Sequence, residues 1–462
     1  MIEVADLPVS AELADAIERA PGVVVRRLGG VGDLAQVGIR GASARQSEIL
    51  LDGLPLNPEG GSAVNLAEWP VRAFERVEVY RGAAPALLGT TALGGAVALI
   101  PSTGPVSELT LAGGSYGTRR ATATAGVDTG AGYVLANVDG LWTDGAFRYW
   151  DDRGTAFNLD DDRVAVRGNN DTAQGSGLVE LRGRGGPVEW VGLYAGLTRD
   201  EGVPGFTFAP SPTVRYHVTR HLAGARFAAP VGGLELGGRG FALARAEALS
   251  DPLGEIGVGA QQTDDHSTSL GSDLTARAPV AVWARLDLGV GARVDRFRSA
   301  GDGERRRWIG KAVLAAPLGR PARGIEPMVQ LLAVSGQPAR VLPRLGATTR
   351  TGAVGWRANV GGFARPPDLV ELYGDRGALV GNPDLRAERG VQADLGGRAG
   401  GFDAVGFVAG YRDLIAWTVG AQGVARPENV DRADVFGVEL AVDRSAGRWR
   451  FGGSATATRA VD

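Results

Sequence analysis

From Gly32 to Pro101 the chain reads GDLAQVGIRGASARQSEILLDGLPLNPEGGSAVNLAEWPVRAFERVEVYRGAAPALLGTTALGGAVALIP, and this stretch decides the fold. Short runs rich in β-formers, at 36–40, 47–51 and 76–80, are broken by turn residues rather than carried on by a helical period. A similar run precedes them at 23–27. Asp52-Gly53 supplies a turn pair that tolerates positive φ. Upstream, Ser10 is placed to cap a short helix, because its hydroxyl accepts from the free amides of a first turn. Leu13, Ala16 and Ile17 then share one face, and Pro21-Gly22 stops the helix. These pieces predict a small mixed α/β domain with polar loops.

Five of these pieces, taken in order, resemble the plug domain of TonB-dependent outer-membrane receptors. Ile17 to Val23 (IERAPGV) resembles the family's "LxxxPGV", and Val37 to Gly41 (VGIRG) resembles its "IRG" strand. Ile49 to Leu56 (ILLDGLPL) resembles "VLLDGVPL". Glu75 to Gly82 (ERVEVYRG) resembles "IERIEVxRGP", with Ala83 in place of the proline. The run 86–97 resembles "ALYGxxAxGGVIN", with Leu88 in place of the tyrosine. The resemblance implies a mainly β protein: a plug over 1–104 inside a transmembrane antiparallel β-barrel over 105–462. Further pieces support the second half. GFARPPDLVELYG at 362–374 resembles "FRAPTLxELYG", GNPDLRAE at 381–388 resembles "GNPxLKPE", and FGVEL at 436–440 resembles "GVELE".

Composition agrees with a barrel. Glycine is 72 of 462 residues, roughly twice the usual share of about 7%, which suits many turns and twisted strands. Mean hydropathy is near zero, and no run of apolar residues is long enough for a membrane-spanning helix. Barrel strands alternate apolar and polar and so average out. The net charge of −3 gives no reason to expect a nucleic-acid partner. The absence of cysteine excludes disulfides, thiolate metal sites and cysteine nucleophiles.

After Thr103-Gly104-Pro105 the pattern changes to seventeen alternating segments, beginning at 106–113 and ending at 447–459. The long connections predicted between them, 144–172, 200–213, 248–263, 364–385 and 417–432, are all odd-numbered. That parity is expected of a barrel with short turns at one end and long loops at the other. The face holding Tyr133, Leu135, Asn137, Asp139 and Leu141 is ambiguous. Seventeen strands do not close a bacterial barrel of even strand number, and plugged transporters have about 22. The expectation is therefore a C-terminally incomplete barrel, lacking about five strands, with an open edge. The N-terminus shows neither a signal peptide nor a TonB box, and both are expected upstream of Met1.

The resemblance also implies functional residues. Two plug arginines, Arg40 and Arg81, should couple to two barrel acids, Asp394 and Glu439, since buried charges need partners and arginine offers a carboxylate a two-pronged fork. The plain alternative is that each arginine satisfies local carbonyls. Ligand contacts are expected at the plug apex (Arg45, Gln46, Asn57, Glu59, Trp69) and on external loops (Phe147, Tyr149, Trp150, Phe206, Phe208, Tyr373). Arginine and aromatics together suit a bulky anionic or catecholate ligand; loop aromatics also form interfacial girdles. Asp151, Asp152, Asp160, Asp161 and Asp162 are a Ca²⁺ candidate without EF-hand spacing, and solvated charge is the competing reading.

Two motifs mislead. Gly113 to Gly117 (GGSYG) matches a nucleophile elbow, but a strand, not a helix, is predicted after it, so a hairpin loop is expected. His217 and His221 have zinc spacing only on a helix; on a strand they stand about 13 Å apart. No enzyme site is expected, and no cofactor.

The function implied is active uptake of a scarce nutrient, a ferric siderophore or cobalamin, across the outer membrane, with outer-membrane lipid around the barrel and the TonB–ExbB–ExbD complex as energy source. The alternatives are a passive porin-like channel and a nonfunctional truncated receptor fragment.

Overall fold

The computed structural model describes residues 1–57, 63–82, 85, 87, 93–155, 157–256, 259–299, 303–320, 322–376, 378–420 and 424–461. Glu59 and most of the run 83–92 lie outside the described residues. The first hundred residues form the expected α/β unit. Its main sheet places Ile2–Glu3, Phe74–Arg81, Gly95–Pro101, Ser47–Leu51 and Leu54–Pro55 side by side in that order. Ser47–Leu51 and Gly95–Pro101 run parallel. A separate antiparallel pair joins Val23–Arg27 to Ala35–Ile39. The helix Leu13–Glu18 buries Leu13, Ala14, Ala16 and Ile17. Its cap is Glu12 rather than Ser10, because the Glu12 and Asp15 side chains bond each other's backbone amides reciprocally and the residues before Glu12 are already in a turn.

The rest of the chain is an antiparallel meander. A long strand falls on each of the seventeen predicted segments, from Val106–Gly113 to Trp449–Val461. The connections Gly185 to Val188, Val231 to Leu234, Ala281 to Ala284, Thr351 to Val354, Ala399 to Phe402 and Ala446 to Trp449 each skip only two residues. At the other end lie 144–171, 203–214 and 366–387, the longest connections. One of them differs from expectation. The segment 417–432 is largely strand, since Phe402–Val419 and Ala425–Ala446 stay paired out to Val419 and Ala425.

The alternating burial of Gly132–Thr143 resolves the ambiguous face. Tyr133, Leu135, Asn137, Asp139 and Leu141 point inward and are buried, while Val138 and Trp142 point outward and are exposed. Outward apolar residues recur around the wall, among them Val179, Leu181, Leu270, Leu274, Val290 and Val294. Such an outer band suits hydrocarbon surroundings. The plug sits in the lumen. Its core residues Leu13, Ile17, Leu51 and Leu66 form one buried cluster with wall residues Leu135, Leu178, Leu193, Leu222 and Leu243.

Val106–Gly113 and Trp449–Val461 are the first and last of the long wall strands. Neighbouring wall strands share extended registers, as Ala425–Ala446 does with Trp449–Val461 and Val106–Gly113 with Arg119–Asp128. Among the described residues no register joins the first strand to the last.

Candidate functional site

Plug and wall meet in a buried ion-pair cluster. Arg40 follows the strand Ala35–Ile39 with φ of 51°, an uncommon conformation for a side chain with a Cβ. Its amide donates to the Gly22 carbonyl at 2.7 Å, which fixes that bend. The side chain then crosses to the wall. Nε and Nη2 donate to the two oxygens of Glu439 at 2.8 and 3.0 Å. Nη1 donates to the Arg81 carbonyl at 3.1 Å and to Asp394 Oδ2 at 3.4 Å. Arg81 Nη1 reaches Glu439 Oε2 at 2.7 Å. The Arg40 guanidinium lies 4.6 Å over the Phe407 ring, and Asn359 steadies Asp394 through a 3.0 Å bond.

All four implied coupling residues therefore converge. Asp394, one carbon shorter than glutamate, sits at the longer distance. Arg40, Asp394 and Glu439 are each more than nine-tenths buried, so their charges are poorly screened and depend on one another. Burial pulls the Arg40 guanidinium down, but the Glu439 hydrogen bond and charge outweigh it and hold Arg40 above its usual range. Burial wins at Arg81, which sits below its usual range despite Glu439. Gly22, at φ 74°, is required here: a Cβ on it would fall 2.1 Å from Glu439 Oε1.

A second ionic contact was not foreseen. Glu68 of the plug is buried between wall residues Arg220 and Arg245, the latter at 2.9 Å through both Nη atoms. Burial raises the Glu68 carboxyl, but Arg245 and Arg220 together hold it below the usual carboxylate range. The chain of charges runs on: Arg245 Nε to Glu247 at 2.8 Å, and Glu247 to Arg376 of the connection 366–387 at 2.7 Å. Asp52 of the plug likewise holds Arg226 at 2.6 and 3.0 Å. The available sign was a recurring Arg-x-acid spacing on inward faces, as in Arg245/Glu247, Arg285/Asp287 and Arg293/Asp295. It marks a charged lumen without naming the plug partner.

The apex candidates divide. Arg45 donates to Asp368 at 2.7 Å, tying the plug to the short helix Leu369–Tyr373 of the connection 366–387. Gln46 is buried and donates to Glu388 at 2.8 Å. Arg365 bridges Glu371 and Glu388 beside it. Asn57 spends both ends on the plug, accepting from the Ile49 amide at 2.8 Å and donating to the Ser47 carbonyl at 2.9 Å. Trp69 is buried under Arg220, 3.7 Å above its ring, at the plug–wall contact.

The loop aromatics gather in two places. Phe147 and Tyr149 pack edge to face at 6.2 Å, with Tyr116 edge-on to Phe147. Trp150, on the same strand Arg148–Asp151, is exposed. Phe206 and Phe208 stack at 5.3 Å on the neighbouring connection and are exposed. Arg167 joins the two loops by donating to the Gly205 carbonyl. Tyr373 stands apart, under Arg305 at 4.7 Å. The five aspartates do not converge. Asp151 faces Arg163 at 3.3 Å and caps the Arg153 amide; Asp152 caps Gly154; Asp161 accepts from Thr155; Asp162 accepts from Trp150 Nε1 at 3.2 Å; Asp160 donates its amide to Asn158. Gly113 to Gly117 forms the hairpin loop between Val106–Gly113 and Arg119–Asp128. His217 and His221 both lie on the exposed face of the strand Arg215–Val231.

An α/β plug held by buried ion pairs inside an antiparallel barrel, with short turns at one end and long loops at the other, defines a plugged outer-membrane-type barrel. Residues 3–96 match the family model for the TonB-dependent receptor plug domain, and residues 101–462 match that for the TonB-dependent receptor-like β-barrel. The chain belongs to the TonB-dependent receptor family, a family of outer-membrane receptors and transporters. Similar solved structures include the ferric enterobactin receptor from Pseudomonas aeruginosa in complex with enterobactin (16% identity, TM-score 0.79, covering 99% of this chain and 80% of that one). The siderophore receptor PirA from Acinetobacter baumannii is 17% identical, with TM-score 0.76 and coverage of 99% and 79%. The copper transporter OprC is 17% identical, with TM-score 0.77 and coverage of 98% and 77%. At these identities the likeness is one of fold.

Proposed function

We propose that this protein takes up a ferric siderophore across the outer membrane by active transport, with the TonB–ExbB–ExbD complex acting on the plug. The observation that carries this reading is the buried latch of Arg40 and Arg81 on Glu439 and Asp394. A plug whose core merges with the wall occupies the path that a passive channel would need. The plug meets the wall through apolar packing, ion pairs and hydrogen bonds, contacts of the kind that a pulling partner can break.

Ligand is captured on the long-loop side, where Trp150, Phe206 and Phe208 expose their rings and Arg45 reaches the connection 366–387 through Asp368. Aromatic faces and arginine suit an anionic metal chelate. Copper as cargo is disfavoured by composition, since two methionines, three histidines and no cysteine offer few of the soft ligands copper prefers. The test is uptake of radioactive iron from a panel of ferric chelates, with labelled cobalamin as a further arm, in cells that lack their own receptors and carry or lack the transducer. The reading expects one ferric chelate to enter only with the transducer. Uptake independent of the transducer means a passive channel, and entry of cobalamin alone replaces the cargo.

A further inference from the structure

A cavity of about 640 Å³ lies at the short-turn end, between the end of the plug strand Phe74–Arg81 and the inner face of the wall. It opens beside the short connection at 282–283 and the short strand Leu318–Arg320. Its lining is mostly apolar, with Met328, Phe363 and Trp283 among the larger groups. Into it projects Arg344, which is only 8% exposed. Among the described residues neither its Nε nor its Nη2 has a hydrogen-bond partner. The guanidinium carbon lies over Phe363, 4.3 Å from the ring centre. The space for this pose comes from Gly361, the register partner of Arg344, where a Cβ would fall 2.5 Å from Arg344 Cγ.

Of the other charged groups lining the cavity, Arg320 is exposed and three are engaged elsewhere. Asp394 serves Arg40 and Asn359, Arg357 pairs with Asp403 at 2.6 Å, and Arg285 pairs with Asp287. Glu326 is exposed at the mouth and forms no ion pair with Arg344 among the described residues. A buried cation without an ion-pair partner is costly, and among the described residues the Phe363 ring is what engages this one. Nε and Nη2 form the side-on edge of the guanidinium, the edge that grips a carboxylate with two parallel bonds.

We propose that Arg344 is a binding residue for a carboxylate group of the transported ligand, in a transit site between plug and wall on the short-turn side of the latch. This rests on the receptor reading, because it needs a ligand that passes the plug. An apolar chamber with one carboxylate hold suits a ligand with an aromatic or aliphatic body and an acid group.

The test uses the folded full chain in detergent and benzoate as probe, in calorimetric titration of wild type, Arg344→Met and Arg344→Lys. Benzoate should bind wild type, lose about tenfold or more in affinity with Arg344→Met, and be intermediate with Arg344→Lys, which keeps a charge but not the fork. The thermal midpoint of Arg344→Met should match or exceed that of wild type, because an unpaired buried charge is removed. Benzoate affinity that ignores position 344, or no benzoate binding by wild type, overturns the proposal. So does a marked fall in the Arg344→Met midpoint, which would make the guanidinium a structural group. If no chelate is taken up through the transducer while benzoate binding follows Arg344, the receptor reading fails and the anion site stands. If uptake holds and benzoate binding ignores Arg344, only the transit site fails.

Discussion

Glu439→Gln tests the latch most sharply. The Glu439 carboxylate takes three donor bonds from two plug arginines, at 2.8, 3.0 and 2.7 Å. With its charge gone, Arg40 keeps Asp394 at 3.4 Å, and Arg81 keeps no carboxylate within ion-pair range among the described residues. Removing one partner of a buried pair costs about 3–5 kcal/mol, and glutamine retains one acceptor, so about 3 kcal/mol is expected. At about 1.4 kcal/mol per factor of ten, the opening equilibrium of the plug edge rises on the order of a hundredfold. Amide hydrogen exchange reads this directly. The amides of Ala35–Ile39 and of Arg40, which bonds the Gly22 carbonyl, should exchange about a hundredfold faster. Wall amides in Arg215–Val231, away from the latch, should be unchanged. Acceleration at 35–40 below about threefold, roughly 0.6 kcal/mol, would refute the claim that these charges hold the plug.

Three further outcomes follow from the same contacts. Gly22→Ala should loosen the same edge by about 1–3 kcal/mol, because it forces a Cβ to φ 74° and to 2.1 Å from Glu439 Oε1; exchange at Arg40 measures it. Glu68→Gln should strand Arg220 and Arg245 and lower plug protection by about 3 kcal/mol at neutral pH. Because the Glu68 carboxyl is held below 4.5, its contribution is fully present above that value and lost as pH falls through the lowered one. The gap between wild type and Glu68→Gln should therefore stay constant from pH 8 to 5 and close only below about pH 4. Asp368→Asn cuts the partly exposed tie to Arg45, worth about 0.5–1 kcal/mol, and limited proteolysis should cleave 374–387 faster while the plug edge keeps its exchange rate.

The sequence made the frame legible and left the contacts between its parts obscure. Alternation with period two marks a strand wherever it occurs, so each of the seventeen segments carries its strand without reference to its neighbours. The latch was reachable because Arg40, Arg81, Asp394 and Glu439 sit inside runs that resemble family motifs. Glu68 was not: its partner Arg245 is 177 positions away, and periodicity tells which face a residue takes, not what stands opposite. Trp69 and Asn57 illustrate the same limit. Both sit in a polar stretch that reads as apex, yet one lies beneath Arg220 and the other locks its own hairpin. Segment 417–432 reads as loop because Pro427 and Asn429 interrupt the pattern, whereas the Phe402–Val419 partner carries the ladder past both.

The central claim is a plug seated in the lumen and displaced during uptake. A reversible crosslink tests it, and the absence of native cysteine gives a clean background. A Cβ built on Gly224 of the wall lies 2.3 Å from Leu54 Cδ1 of the plug, on the side away from the latch. Leu54→Cys with Gly224→Cys thus places the two Cβ atoms within about 5 Å, near disulfide range. The account predicts that the oxidised pair forms, that transducer-dependent uptake of the ferric chelate stops, and that reductant restores it. Uptake at the full rate with the crosslink intact, or failure of the pair to oxidise in folded protein, would contradict it.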